Sequence, residues 1–369
     1  MMRKLVGVAT LIFLGSLPLA ACQGGGLQAT PTERPTISAS SRESATPVDP
    51  SRTQTARRLF SQPAWLSLDG DLLSFATVDE AHGRPVDVKT MSLKNGTVTT
   101  IGRASMSDHA MIGDVCATSG HVLWVDQDHL QNEITDPTAW RIIDHNVAAN
   151  TDAIVAESNG DSANQPPTLN CDSQRLTWDE YAGFALRTSN TFSYSPNTGT
   201  KTEISHHVNL VGSAPSNDVI SSLLTTWPTQ DSYRTDVQLR TDDGRTVLAS
   251  ETGRAWGPRI GSGVVAWIEN PASGGHSIVA RHYQSDLTLG PVQTIDPTAE
   301  NLLRVCGAWI VYVDSQTARL TLHNMTTSIL LGEADSFFQL GGVGCDSQRV
   351  VWASQGPNGQ LTLNTYNLP

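Results

Sequence analysis

The chain is short of several things that would announce a function outright. Lysine is scarce, and 24 basic residues face 36 acidic ones, a net charge of −12. It has no basic stripe of the kind that follows a phosphate backbone, which excludes nucleic-acid binding. Beyond the first two dozen residues no apolar run is long enough to cross a bilayer as a helix. No stretch of a dozen residues keeps a helical apolar period, which argues against helical folds. The motifs whose mechanism can be read directly are missing as well. There is no Gly-x-Ser-x-Gly elbow, no Gly-Lys-Ser/Thr phosphate loop, no Gly-x-Gly-x-x-Gly after a strand and no His-Glu-x-x-His. Cysteine is limited to five residues, none in Cys-x-x-Cys spacing.

What is present begins with an address. Met1-Met2-Arg3-Lys4 is a short basic start, and Leu5 to Leu19 is an apolar segment too short to span a bilayer comfortably. It ends Leu19-Ala20-Ala21-Cys22, which resembles the bacterial lipobox. That resemblance implies cleavage before Cys22, lipidation of its thiol, and a mature protein held outside the cytoplasmic membrane. Several acyl chains, each contributing about 0.8 kcal/mol per buried methylene, anchor stably. Residues 23–52 are Gly-rich, then Thr/Ser/Pro-rich, and bury too little to offset ordering entropy. They are expected to be a flexible tether for one domain over residues 53–369.

That domain is built on a phrase that occurs twice, Cys171-Asp-Ser-Gln-Arg-Leu-Thr-Trp178 and Cys345-Asp-Ser-Gln-Arg-Val-Val-Trp352. Looser copies start at Cys116, Ile260 and Cys306. Aligning them places an aromatic at one point of each unit: Phe75, Trp124, Trp178, Trp227, Trp267, Tyr312 and Trp352, spaced by 40 to 54 residues. Short alternating runs separated by turn signals such as Asn95-Gly96 and Asp243-Gly244 read as strands. A period of forty-odd residues with four strands each predicts an all-β propeller. It has seven blades, or six if the awkward unit around Trp227 is not one. The last unit lacks a fourth strand, and an open edge would be left unpaired. Thr53 to Phe60 is expected to supply it and close the ring.

In Trp65-Leu-Ser-Leu-Asp-Gly-Asp-Leu-Leu-Ser-Phe75 the unit resembles the PD40 repeat of TolB-like propellers, with Leu68 where that repeat has Pro. The resemblance implies a fold rather than an activity.

With Cys22 assigned to lipid, four cysteines remain at similar places in neighbouring blades. Outside the cytoplasm an even count reads as disulfides, here Cys116–Cys171 and Cys306–Cys345. A four-thiolate metal site or a redox pair would need closer spacing, and pairs on opposite sides of a ring could not converge.

Loops after the second strands and between blades open on one face of a propeller. They carry many of the acids, among them Asp79, Asp126, Asp128, Asp179, Glu180, Glu269 and Asp314. An acidic rim would draw cations, basic peptides or a divalent metal; loop tips in an acidic protein are also simply polar. Candidate ligand-binding residues on this face are Asp108, His109, His206, Glu251, Arg254, Trp256, Glu333 and Asp335. No catalytic residue, cofactor or metal ligand is assigned, although a divalent cation could sit on the acidic face. The expected function is a monomeric, lipid-anchored, extracytoplasmic binding or scaffold module for a protein, peptide or glycan. The alternative is a cell-envelope hydrolase or lyase using His109, His206 and rim acids at the channel mouth. A purely structural part of an envelope complex is a third reading.

Overall fold

The structure is a computed structural model. It describes residues 46–47, 53–59, 63–79, 81, 83–128, 139–158, 166–181, 189–208, 210–229, 232–271, 274–297, 301–314, 319–333, 342–355 and 361–369. The signal segment, Cys22 and most of the expected tether lie outside these residues.

Strand β1 (Thr46–Pro47) pairs in parallel with the outer strand of blade 6, although it falls within the stretch expected to be tether. Strand β2 (Thr53–Leu59) precedes the first blade. Blade 1 is β3 (Pro63–Asp69), β4 (Leu72–Asp79), β5 (Arg84–Ser92) and β6 (Val98–Arg103). Blade 2 is β7 (Met111–Thr118), β8 (His121–Gln127), β9 (Trp140–Asn146) and β10 (Thr151–Glu157). Blade 3 is β11 (Asn170–Cys171), β12 (Leu176–Tyr181), β13 (Ser189–Ser195) and β14 (Thr200–Val208). Blade 4 is β15 (Leu210–Ser216), β16 (Val219–Thr229), β17 (Ser232–Thr241) and β18 (Thr246–Leu248). Blade 5 is β19 (Ala255–Gly261), β20 (Val264–Glu269), β21 (Ser277–His282) and β22 (Gln293–Asp296). Blade 6 is β23 (Asn301–Cys306), β24 (Trp309–Asp314), β25 (Arg319–His323) and β26 (Ser328–Glu333). Blade 7 is β27 (Val343–Cys345), β28 (Arg349–Gln355) and β29 (Leu361–Asn367), and β2 pairs antiparallel with β29 as its fourth strand. The ring thus has seven blades and is closed by the N-terminal strand. First strands touch in sequence around the ring, from β3 to β7 and back from β27 to β3, so they line a central channel.

Apolar clusters fill the gaps between blades. One cluster spans each of the junctions 7/1, 1/2, 2/3, 4/5, 5/6 and 6/7. In each of these, the aromatic of the later blade packs against the blade before it: Phe75, Trp124, Trp178, Trp267, Tyr312 and Trp352 in turn. Trp124 and Trp178 are 1% and 0% exposed. The fit is close enough that a methyl group on Gly102 would meet the Trp124 ring at 2.6 Å. Between the first strands of blades 5 and 6, a Cβ on Gly261 would lie 2.2 Å from the Gly307 carbonyl oxygen.

Blade 4 departs from the aromatic alignment. Trp227 lies near the far end of β16, whereas Ser222 stands the same distance past the turn as Trp124, Trp178, Trp267 and Trp352 do in their blades. Leu223 belongs to the 4/5 cluster, so alternation turns its neighbour Ser222, 5% exposed, toward blade 3. Among the described residues no apolar cluster joins blades 3 and 4. The side-chain bonds described there are polar. Thr177 Oγ1 donates to the Ser213 carbonyl at 3.1 Å, and Ser213 N donates to Asp179 Oδ2 at 2.9 Å. Thr191 Oγ1 donates to Asp179 Oδ1 at 2.7 Å.

The repeated phrase acquires a mechanism. Asp172 Oδ1 accepts from Gln174 N (2.7 Å) and Arg175 N (2.9 Å), and Asp346 Oδ1 accepts from Gln348 N and Arg349 N, both at 2.7 Å. Each aspartate therefore shapes the turn between the first two strands of its blade. Each arginine then reaches the next blade, Arg175 to Asp242 at 2.7 Å and Arg349 to Asp71 at 2.8 Å. The cysteine opening each phrase bridges backward, in Cys116–Cys171 and Cys306–Cys345.

Two outcomes follow from this packing. Replacing Cys306 and Cys345 by serine removes a cross-link between residues 39 apart in sequence and should cost about 3–4 kcal/mol in denaturant unfolding. Native-state hydrogen exchange should show β11 and β15 opening at lower free energy than β23 and β27, because among the described residues no apolar cluster joins blades 3 and 4. Uniform protection across all four strands would contradict that.

Candidate functional site

The rim acids are engaged in bracing loops. Asp126, fully buried, accepts from Ser105 N at 3.2 Å and pairs with Arg141 at 2.8 Å. Asp128 accepts from Ser107 Oγ. Glu180 accepts from Trp178 Nε1 at 2.9 Å and meets Lys201 at 3.4 Å. Glu269 accepts from Trp267 Nε1 at 2.8 Å and from Thr252 Oγ1. Asp126, Asp128 and Glu269 each tie the second strand of a blade to the loop arriving from the previous one. Among the described residues no group of three or more His, Cys, Asp or Glu side chains could hold a metal ion.

The sequence-predicted ligand residues divide around the ring. Asp108 and His109 are exposed in the loop between blades 1 and 2, where His109 N donates to Ser107 Oγ at 3.0 Å. His206 is placed within strand β14 and Glu333 at the end of β26; their side chains, and all of Asp335, lie outside the described residues. Glu251, Arg254 and Trp256 come together where blade 4 passes into blade 5. Here Thr235 N donates to the Gly253 carbonyl at 3.1 Å and Gly253 N donates to Asp236 Oδ1 at 2.7 Å. Arg234 Nη2 donates to the Glu251 carbonyl at 3.2 Å. Gly253, with φ +74, is required at this spot: a Cβ there would lie 2.4 Å from Arg234 Nε.

Just past this braced loop, at the start of β19, Trp256 is 36% exposed and meets Tyr233, 41% exposed, edge to face with ring centroids 6.2 Å apart. Arg234, next to Tyr233 in sequence, and Arg254, two residues before Trp256, are exposed as well. The other large apolar side chains exposed among the described residues are Val98, Ile154 and Val292, in three different blades. Tyr233 was not singled out by sequence, because it sits in a third strand rather than in a loop. Its signal is a solvent-facing aromatic beside Arg234 at a strand's start.

The channel holds a second group that the sequence reading passed over. Five first strands carry a bulge, between Ala64 and Ser67, Ile112 and Asp114, Val211 and Ala214, Trp256 and Arg259, and Leu302 and Arg304. A bulge bends the strand and re-aims the side chain that follows it. In three blades that side chain is charged: Asp114, Arg259 and Arg304. Asp114 is 6% exposed, and its carboxylate accepts from Val115 N at 2.8 Å and Leu169 N at 2.9 Å. Burial pushes its pKa from 3.8 up to about 6, against the opposing pull of Arg304, the two amides and Arg259. Burial and the neighbouring Arg304 bring Arg259 down to about 10, and burial also lowers Arg304. Each of the three interrupts an apolar run next to a Gly or a bulge, which is the signal that could have revealed them.

A carboxylate whose pKa is raised by folding stabilises the fold when protonated. Its contribution is complete below about 3.8 and is lost as pH rises through about 6. Between about pH 4 and about pH 8 this group should withdraw on the order of 2 kcal/mol. Denaturant unfolding of the parent and of Asp114→Asn across that range measures it: the pH slope should be shallower in the variant, and equal slopes would refute the assignment.

No protein-family model and no curated protein matches the sequence. Solved structures do match in fold. The β-propeller domain of the Trilobed protease from Pyrococcus furiosus superposes with TM-score 0.53 at 13% identity, over 84% of this chain and 94% of that one. An oligogalacturonate lyase in complex with manganese gives 0.52 at 11% identity, over 85% and 90%. An acylaminoacyl peptidase from Pyrococcus horikoshii gives 0.54 at 12% identity, over 82% of this chain and 50% of that one, so this chain spans about half of that peptidase. At these identities the likeness is one of fold: the chain is a seven-blade β-propeller, as the strand topology requires.

Proposed function

We propose that this chain is a lipid-anchored, extracytoplasmic propeller that binds a protein, peptide or glycan on its loop face. The observation that carries the reading is the Tyr233–Trp256 pair. Two large aromatic rings, one at the start of β17 and one at the start of β19, stay in water with Arg234 and Arg254 exposed nearby in sequence, next to a loop that backbone bonds fix to β17. Exposed rings held rigidly next to guanidinium donors suit recognition, since little conformational entropy remains to be lost on binding. The rim acids support the same reading from the other side, because those described brace loops and do not converge on a reacting point. Anchoring rests on Leu19-Ala20-Ala21-Cys22.

A second reading, an envelope hydrolase or lyase, is favoured by the similarity to propellers of peptidases and of a lyase. Turnover of oligogalacturonate with manganese, or of peptide substrates, by the purified chain would favour it over binding alone.

Capture from envelope extracts should recover a partner with the parent chain and at least tenfold less with Trp256→Ala, of which about tenfold corresponds to 1.4 kcal/mol. Equal recovery by both would remove the loop-face reading. In cell fractionation, Cys22→Ala should move the protein out of the membrane fraction; retention there would remove the anchor.

A further inference from the structure

On the turn face, blade 2 carries a buried polar chain that has no part in the loop-face reading. His121, at the start of β8, and Asp144, on β9, are both buried, and His121 Nδ1 lies 2.8 Å from Asp144 Oδ1. Tyr194 of blade 3 donates to the other oxygen, Asp144 Oδ2, at 2.8 Å. Burial, then the bond to Asp144 and its charge, push the Tyr194 pKa up, so the phenol stays a donor. Asp144 therefore accepts through both oxygens, and Nδ1 of His121 carries a proton.

The other ring nitrogen is held differently. His121 Nε2 lies 3.2 Å from Asn146 Nδ2, and an amide nitrogen only donates, so Nε2 accepts and the imidazole is neutral. Asn146 cannot offer its oxygen instead without a loss, because Oδ1 accepts from Ala149 N at 2.9 Å. Together with Asn150 N donating to the Asn146 carbonyl at 2.8 Å, that bond shapes the turn between β9 and β10. Ala148, Ala149 and Asn150 are exposed there.

Protonating the ring sets its two partners against each other. The added charge strengthens the bond to Asp144, but the new N–H points at the Asn146 amide nitrogen, donor to donor. Turning the amide over satisfies that N–H and takes the acceptor away from Ala149 N. We propose that His121 is a pH-sensitive latch: neutral, it holds the β9–β10 turn through Asn146, and charged, it releases that turn. Val147 N, in the same turn, donates to the Gly120 carbonyl at 3.3 Å. Gly120 N in turn donates to Asp69 Oδ2 of blade 1, and Ser119 Oγ to the Ser173 carbonyl of blade 3, both at 2.8 Å. The latch thus sits where three blades meet. Among the described residues, the other titratable groups around it are few. Lys201 and Glu203 stand on β14 opposite Tyr194 and Phe192, and Asp172 and Asp69 lie in the neighbouring turns. His145, bonded to Asp152 Oδ1 at 2.7 Å, is on the other side of the sheet, across from Val122 of the 1/2 cluster.

The test follows hydrogen exchange of the Ala149 amide in the whole chain, corrected for the intrinsic pH dependence of exchange. Imidazoles change charge between about pH 5 and pH 8. Across that range, going down in pH, protection of Ala149 should fall about tenfold or more. Equal protection at both ends overturns the proposal. His121→Gln offers Asp144 a nitrogen donor and Asn146 an oxygen acceptor at any pH, so its Ala149 protection should not vary; a response that persists overturns the latch. His145→Gln should keep the parent's response, and losing it would assign the effect to the His145–Asp152 pair instead. Should His121→Gln fail to fold, the parent decides. The ring nitrogens of His121 and the amide of Ala149 should titrate with one midpoint by NMR, and separate midpoints overturn the proposal.

Discussion

The constraint on which this molecule depends is that a sheet edge cannot be left open. Seven blades place seven first strands around a channel, and the ring holds only if each blade is a complete sheet packed on two neighbours. The last blade takes three strands, β27 to β29, from its own stretch of sequence. Strand β2, drawn from the other end of the sequence, fills the missing edge by pairing with β29. With that strand in place, the apolar faces of blades 7 and 1 can close on each other around Phe75. The two disulfides and the reach of Arg175 and Arg349 then act on a ring whose geometry is already closed. Bonds of those kinds limit how blades separate; they do not decide how many there are.

Much of this architecture was legible in the sequence because packing between blades repeats. One aromatic per unit, at a steady spacing, reflects one hydrophobic contact made again at each junction. The cysteine pairs were legible for the same reason, since equivalent places on neighbouring first strands are close. Blade 4 shows where that logic stops. Trp227 satisfied the spacing but not the register, because its blade puts Ser222 where the others put a ring. A polar junction has no periodic apolar signature to read, so only the strand pairing exposed it.

Function was less legible. The rim carboxylates looked like a collective electrostatic feature, yet Asp126, Asp179 and Glu269 each accept several local hydrogen bonds, one of them from an incoming loop or strand. Charge counts along a sequence do not distinguish an acid held by a backbone amide from one facing solvent. Trp256 was recognisable from its Gly and Arg neighbours, while Tyr233 emerged only when a third strand from the adjacent blade came alongside it. Asp114, Arg259 and Arg304 are far apart in sequence and belong together solely because a seven-membered ring sets blade 2 across from blades 5 and 6.

The polar junction between blades 3 and 4 divides the circle unevenly in another sense. Everything up to β14 forms one arc with its own internal disulfide, and everything from β15 onward forms a second arc with the other. The arcs meet at two places of different character. At one, the links among the described residues are hydroxyls, carboxylates and Arg175. At the other, β2 leaves the first arc and is woven into the sheet of the second. The molecule can thus be regarded as two interlocking halves joined by a clasp at one end and a wettable seam at the other. The seam, being the side without a woven strand, is where the circle would part first while its clasp still held.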